Sequence, residues 1–222
     1  MSLTSVIEEY IEAIYTLSQT GKVVIGARLA EIIGVSPATV TETVRRMERD
    51  GFVSTDAKRG ISLTEAGLEK AEALVRRHSL SERWLSDVLG IEWHKVHEEA
   101  CRLEHALSDE VEQRLADSLG NPTTCPHGNP IPGRLRPAEL SPSKPLSSVT
   151  VGETITVDHI GEDAEKDPVL LQYLQRHAIT PGAGVTVTEI VPFDGTVVVV
   201  SASGSVAVSS RVADLIWVRS QT

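Results

Sequence analysis

The punctuation between Gly26 and Leu63 restricts the fold more than any other feature of the sequence. A short apolar-patterned run, Gly26 to Ile33, stops at Gly34. Ser36 then reads as a helix N-cap and Pro37 as the first helical residue. A serine hydroxyl accepts from a free backbone N–H there, and proline loses nothing where its own N–H would have no partner. The helix so begun keeps Val40, Val44 and Met47 on one face and stops at Gly51. Phe52 to Thr55 and Ile61 to Leu63 read as two short strands around a turn at Lys58-Arg59-Gly60, and Thr64 caps a helix running toward Gly90. Upstream, Val6 to Leu17 sets Ile7, Ile11, Ile14 and Tyr15 on one face. Helix, helix, tight turn, helix, hairpin, helix is the order of a winged helix-turn-helix.

The helix at Pro37 has the chemistry of a DNA-reading helix. Its first turns carry Ser36, Thr39, Thr41 and Glu42, side chains short enough to let a helix approach base edges. Backbone N–H groups at its start suit phosphate. The net charge of −10 excludes a protein that coats nucleic acid, so contact must come from a local basic patch. Arg45, Arg46, Arg49, Lys58 and Arg59 supply one, with Lys58 and Arg59 at the hairpin tip.

The rest of the chain changes character twice. Residues 1–73 form the expected DNA-binding domain, and 74–121 a helical domain for dimerisation and metal binding, with Trp84, Leu85 and Leu89 among its apolar contacts. Residues 122–148 hold seven of the chain's 11 prolines and one acidic residue, and read as a linker. Residues 149–222 are rich in β-branched runs broken by Pro181-Gly182, Asp194-Gly195 and Ser203-Gly204, the pattern of a small β-barrel or sandwich. One helix is expected within it, Pro168 to His177, with the stripe Val169, Leu170, Tyr173 and Leu174. The class is α+β. No 18-residue apolar run exists to cross a membrane. No secretory pattern opens the sequence, so a cytoplasmic location is expected. Cys101 and Cys125 are too few for a disulfide scaffold.

Residues 93–119 read as one helix carrying an apolar stripe of Val96, Ala100, Leu103, Leu107 and Val111. Glu98, Glu99, Arg102 and Asp109 face the other way. Between the two runs an arc of His97, Cys101, Glu104 and His105, which fits neither a solvated face nor a core. Cys101, Glu104 and His105 stand at i, i+3, i+4 and can converge on one ion. His78 and Glu82, at i, i+4 on the preceding helix, can form a second site with His97. Each residue alone has an ordinary structural reading, a packed thiol or a hydrogen-bonded histidine.

Five segments resemble the diphtheria toxin repressor family of iron- or manganese-dependent repressors: Tyr10 to Tyr15, Ser36 to Gly51, Arg77 to Glu82, Val96 to Val111 and Gly128 to Gly133. The resemblance implies a winged-helix domain, a helical dimerisation and metal domain, and an SH3-like C-terminal domain. It implies Fe(II) or Mn(II) at two sites per chain. Glu9 joins Cys101, Glu104 and His105 in the activating site, and the ancillary site uses His78, Glu82 and His97. It further suggests Asp167 as a ligand from the SH3-like domain, and Cys125 and His127 as ligands beside Glu82. A homodimer on a pseudo-palindromic operator is implied, two dimers per operator being the larger assembly.

Two departures leave the metal open. Iron-type members carry methionine where this chain has Glu9, while manganese-type members carry an acid there and another one turn on, which Glu12 supplies. Manganese-type members, however, carry glutamate where this chain has Cys101, and a thiolate favours softer ions. The expected mechanism is linkage: a cation tying the first helix to the dimerisation helix sets the spacing of two recognition helices. Two readings compete with it, a winged-helix regulator sensing an organic ligand around a structural metal, and a zinc hydrolase with Glu98 as base.

Overall fold

The computed structural model describes residues 5–19, 23–58, 60–133 and 142–220. They fall into two compact units, Met1–Arg77 and His78–Thr222. Of the expected DNA-contacting residues, Arg59 lies outside the described residues, as does part of the proline-rich linker.

In the first unit, α1 (Ser5–Gln19), α2 (Gly26–Ile33) and α3 (Pro37–Arg49) precede a hairpin of β1 (Val53–Thr55) and β2 (Ile61–Leu63), and α4 (Glu65–Arg83) follows. The sequence punctuation is realised in the local geometry. Gly34 ends α2 at φ 74°, a left-handed cap that returns its N–H to the Ala30 carbonyl. Ser36 Oγ accepts from the Thr39 N–H at 3.1 Å. The hairpin pairs Val53 with Leu63 and Thr55 with Ile61. Its turn is closed by Asp56 Oδ1, which accepts from the N–H groups of Lys58 and Gly60 at 2.7 and 2.8 Å. Glu48 Oε1 on α3 accepts from the Thr55 hydroxyl at 2.6 Å, holding the hairpin to the recognition helix. One core joins Ile7, Ile11 and Ile14 to Leu29, Val40, Val44, Met47, Val53 and Ile61. On α1 the aromatic fully inside is Tyr10, at 1% exposure, while the expected Tyr15 is half-buried at the core's edge.

The second unit begins within α4. After a wide π-type turn at Trp84–Val88, α5 runs Val96–Leu103, a 3-10 turn spans Glu104–Ala106, and α6 runs Asp109–Ser118. The single helix expected over 93–119 is therefore broken. Leu107 adopts extended ψ 126°, and Ser108 starts a new helix by accepting from the Val111 N–H, with Asp109, Glu110 and Glu112 in its first turn. Val96 and Ala100 pack with Leu85 and are fully buried, so they belong to the chain's own core, while Val111, beyond the break, is 45% exposed.

The C-terminal part is a six-stranded antiparallel sheet. β3 (Lys144–Pro145), β8 (Ile216–Ser220), β4 (Thr154–Ile160), β5 (Gly184–Ile190), β6 (Val197–Ser201) and β7 (Gly204–Val208) neighbour one another in that order. The short helices α7 (Glu162–Glu165), α8 (Pro168–Arg176) and α9 (Ser210–Ala213) complete it. Alternating residues such as Ile155, Val157, Val185, Val187, Val197 and Val199 fill one core. On α8 the inward residues are Leu171 and Leu174; Val169, expected on that face, is 75% exposed.

The loop 123–131 is pinned to the sheet. Ile160 N–H donates to the His127 carbonyl at 2.9 Å. Gly128, at φ 91°, lies so close that a Cβ would stand 2.3 Å from the Asp158 carbonyl oxygen, so only glycine fits.

Candidate metal centre

Four helical segments and the loop bring their polar residues to one buried place in the second unit. His78 and Glu82 project from α4, His97 and Cys101 from α5, Glu104 from the 3-10 turn, Cys125 and His127 from the loop, and Glu165 from α7. Glu82, Glu104 and Glu165 are 0%, 2% and 5% exposed, and His127 is 0%. Ionised carboxylates at such depth require counter-charge.

Imidazoles provide it. Glu82 Oε1 lies 3.2 Å from His78 Nε2, 3.4 Å from His97 Nδ1 and 3.3 Å from His127 Nδ1. Burial works to raise the Glu82 carboxyl, but these three rings hold it well below the usual range. Burial likewise works to depress His78, and Glu82, Cys101 and Glu104 outweigh it, leaving the ring well above its ordinary value. His97 rises to about 11 against the same desolvation, through Cys101, Glu165 and Glu82. For the thiols burial acts upward. His78 and His97 overcome it at Cys101, which is lowered, whereas at Cys125 the charges of Glu82 and Glu165 add to it.

The hydrogen bonds around the cluster aim ring nitrogens inward. His78 Nδ1 lies 2.6 Å from Glu104 Oε2, so its N–H points outward and Nε2 faces Glu82 and His97. His127 Nε2 meets the Trp93 carbonyl at 3.2 Å; a carbonyl only accepts, so that nitrogen carries the hydrogen and Nδ1 faces inward. Outer partners of this kind fix the tautomer of a metal-binding imidazole. The Trp93 N–H donates to the Pro126 carbonyl, and Arg83 donates to the carbonyls of Thr124 and Cys125, so the loop arrives pre-positioned.

Two observations fit a cation. Glu82 Oε2 and His127 Nδ1 are buried with no hydrogen-bond partner. Donor atoms also gather within 4.8 Å of one another in three sets: His78, His97 and Cys101; His78, Glu82, His97 and Glu165; Glu82, Cys125 and His127. The expected ligands are distributed among them unequally. His78, Glu82 and His97 come together, as do Cys125 and His127 beside Glu82. Cys101 is grouped with His78 and His97, while Glu104 Oε1 meets His105 Nε2 at 3.3 Å. Glu9 is exposed and Glu12 half-buried, both on α1 in the first unit. Asp167 does not join the cluster: it is exposed and caps α8, its Oδ1 accepting from the N–H groups of Val169 and Leu170. The carboxylate from that segment is Glu165, 3.4 Å from His97 Nδ1, which the sequence reading missed. The Asp167-Pro168 pair is itself the signal of a helix start.

On the first unit, Ser36, Pro37, Thr39, Thr41, Glu42, Arg46 and Lys58 are all exposed, whereas Val40, Val44 and Met47 face inward. The hydroxyls are partly engaged locally. Ser36 Oγ and Thr39 Oγ1 are 2.8 Å apart, and Thr41 donates to the Pro37 carbonyl.

Three family descriptions match in series: the iron dependent repressor N-terminal DNA-binding domain at residues 2–61, the iron dependent repressor metal binding and dimerisation domain at 64–133, and the FeoA domain at 144–220. The iron-dependent repressor IdeR of Mycobacterium tuberculosis is 37% identical over 97% of both chains. The diphtheria toxin repressor of Corynebacterium diphtheriae is 46% identical over 59% of this chain and 58% of its own. Among solved structures, a manganese-dependent transcriptional repressor in complex with manganese superposes with a TM-score of 0.86 at 35% identity, over 97% of this chain and 100% of that one. ScaR with bound Zn2+ superposes at 0.81 with 27% identity, over 97% and 99%. With its winged helix, its helical donor cluster and its SH3-like β domain in the matching order, the chain belongs to the iron-dependent repressor family.

Proposed function

We infer that the chain is a transcriptional repressor whose grip on DNA depends on a divalent cation, Fe(II) or Mn(II), held at two sites per chain. The observation that carries this is the fully buried Glu82 carboxylate, one oxygen of which faces ring nitrogens of His78, His97 and His127 together. In the absence of a cation those rings hold protons as counter-charge. A bound dication supplies that charge instead and releases the protons.

Cys101, Glu104 and His105 form the activating site, and the resemblance adds Glu9. His78, Glu82 and His97 form the second. His78 serves both, since one nitrogen faces the second site while the other donates to Glu104. A ligand of one site thereby orients a ligand of the other. Repressor names among the relatives point away from an enzyme.

Ser36, Pro37, Thr39, Thr41 and Glu42 meet the major groove, and Arg46, Lys58 and Arg59 meet phosphate. Val88 and Leu89 are 59% and 51% exposed beside buried Leu85, and this apolar face supports dimerisation there. Two recognition helices related by a two-fold axis read a pseudo-palindromic operator, two dimers occupying the longer sites. Selection of genomic fragments by the Mn(II)- or Fe(II)-loaded protein tests this reading. Recovered sequences should share inverted half-sites and be released by chelator. Fragments retained equally well in chelator would overturn it.

A further inference from the structure

We propose that Glu42 reads a cytosine in each half-site of the operator, its carboxylate accepting from the cytosine amino group in the major groove. This rests on the DNA-binding reading above and names the base that Glu42 selects.

On α3 the inward residues are Val40, Val44 and Met47. At about 100° per residue, Glu42 lies about 160° round the helix from both Val40 and Val44, near the middle of the outward face. Ala38, one turn earlier on that face, is exposed and ends at its methyl group, so nothing bulky beside Glu42 holds the helix away from base edges.

The other exposed acceptors of the helix and its caps are engaged within the protein. Ser36 Oγ accepts from the Thr39 N–H and lies 2.8 Å from Thr39 Oγ1. Thr41 turns its hydroxyl back to the Pro37 carbonyl at 2.9 Å. Glu48 Oε1 takes both the N–H and the hydroxyl of Thr55. Asp50 faces Arg46 and Arg49 at 3.8 and 3.9 Å, so Arg46, one turn on from Glu42, is directed away from it. Glu42 is exposed and, among the described residues, has no hydrogen bond or ion pair.

A carboxylate only accepts. In a groove walled by phosphates it is repelled unless a donor meets it, and the base decides whether one does. Cytosine presents its N4 amino group and no acceptor of its own in the groove. Adenine sets its N6 amino group beside N7, whose lone pair opposes the second carboxylate oxygen. Guanine and thymine offer only acceptors there. Discrimination at this position is thus rejection as much as attraction.

The test selects operators from randomised duplexes with the Mn(II)- or Fe(II)-loaded full chain, then repeats the selection with Glu42→Ala and Glu42→Gln. The wild type should require one cytosine per half-site, its replacement lowering affinity about tenfold or more. Glu42→Ala should level the four bases at that position. Glu42→Gln, which donates as well as accepts, should move the preference to adenine. The remaining positions should keep their preferences in both variants, which controls for the fold. A cytosine requirement that survives both substitutions, a wild-type site with no required cytosine, or a weakening spread evenly over every position overturns the proposal alone. Failure of the wild type to enrich inverted half-sites overturns the DNA-binding reading as well.

Discussion

Replacing Glu82 with glutamine keeps the shape of the side chain and removes one charge from the centre of the cluster. The size of the effect follows from the histidines. His97 stands at about 11 against an ordinary 6.5, a shift of about 4.5 units, or about 6 kcal/mol at 1.36 kcal/mol per unit. Cys101, Glu165 and Glu82 together hold the ring there against desolvation, so Glu82 accounts for only part of it. Losing one partner of a buried ion pair has a ceiling of about 3–5 kcal/mol, and the rings relieve some of it by shedding protons. The metal-free variant should therefore lose about 2–4 kcal/mol at pH 7, roughly 5–10 °C in Tm. The assay is thermal unfolding followed by tryptophan fluorescence, because all three tryptophans, Trp84, Trp93 and Trp217, lie in the second unit. The sign with pH is fixed. A ring raised in the folded state contributes fully below its unfolded value near 6.5, and the contribution is lost as pH climbs toward about 11. The deficit of Glu82→Gln should thus be largest near pH 6 and shrink by pH 10. An unchanged Tm, or a deficit that grows with pH, would refute the account of how the cluster is charged.

Three further outcomes are expected. Lys58→Ala with Arg59→Ala should weaken binding to all DNA sequences and lower the slope of log affinity against log salt by about 1–2, measured by fluorescence anisotropy; an unchanged slope removes the hairpin tip from the interface. Cys101→Glu should move metal preference from Fe(II) toward Mn(II) in anaerobic competition dialysis, whereas an unmoved preference makes Cys101 a packed thiol. Leu89→Glu should yield a monomer by sedimentation at micromolar concentration with metal present, since it puts a charge on an exposed apolar pair; a persisting dimer places the interface elsewhere.

What the sequence revealed depended on the range of the determining interaction. The winged helix is written in local chemistry: Gly34, Ser36-Pro37, Gly51 and Thr64 each act within a few residues, and each element starts or ends where they place it. The break at Leu107 was equally local. Ser108 followed by Asp109, Glu110 and Glu112 is a helix start, but the apolar periodicity on either side masked it. Glu165 was beyond reach of spacing arguments. It lies more than 60 residues from His97, and only the folding of the sheet against the loop, with Asn129 donating to both Glu165 and the Ile160 carbonyl, brings it in. On α8, Val169 matched a helical stripe by period alone, yet the face that turns inward is set by the sheet, which takes Leu171 and Leu174.

The central claim, that the cluster controls DNA binding through a cation, is tested most directly by Glu104→Gln beside the wild-type chain. Both are titrated with Mn(II), and with Fe(II) under anaerobic conditions, in the presence of a labelled operator fragment recovered by selection. The account predicts operator binding by the wild type that rises with metal and vanishes in chelator, and no metal-dependent rise in Glu104→Gln although its fold is intact. Wild-type metal dependence in Glu104→Gln, or full operator binding by the metal-free wild type, would contradict it.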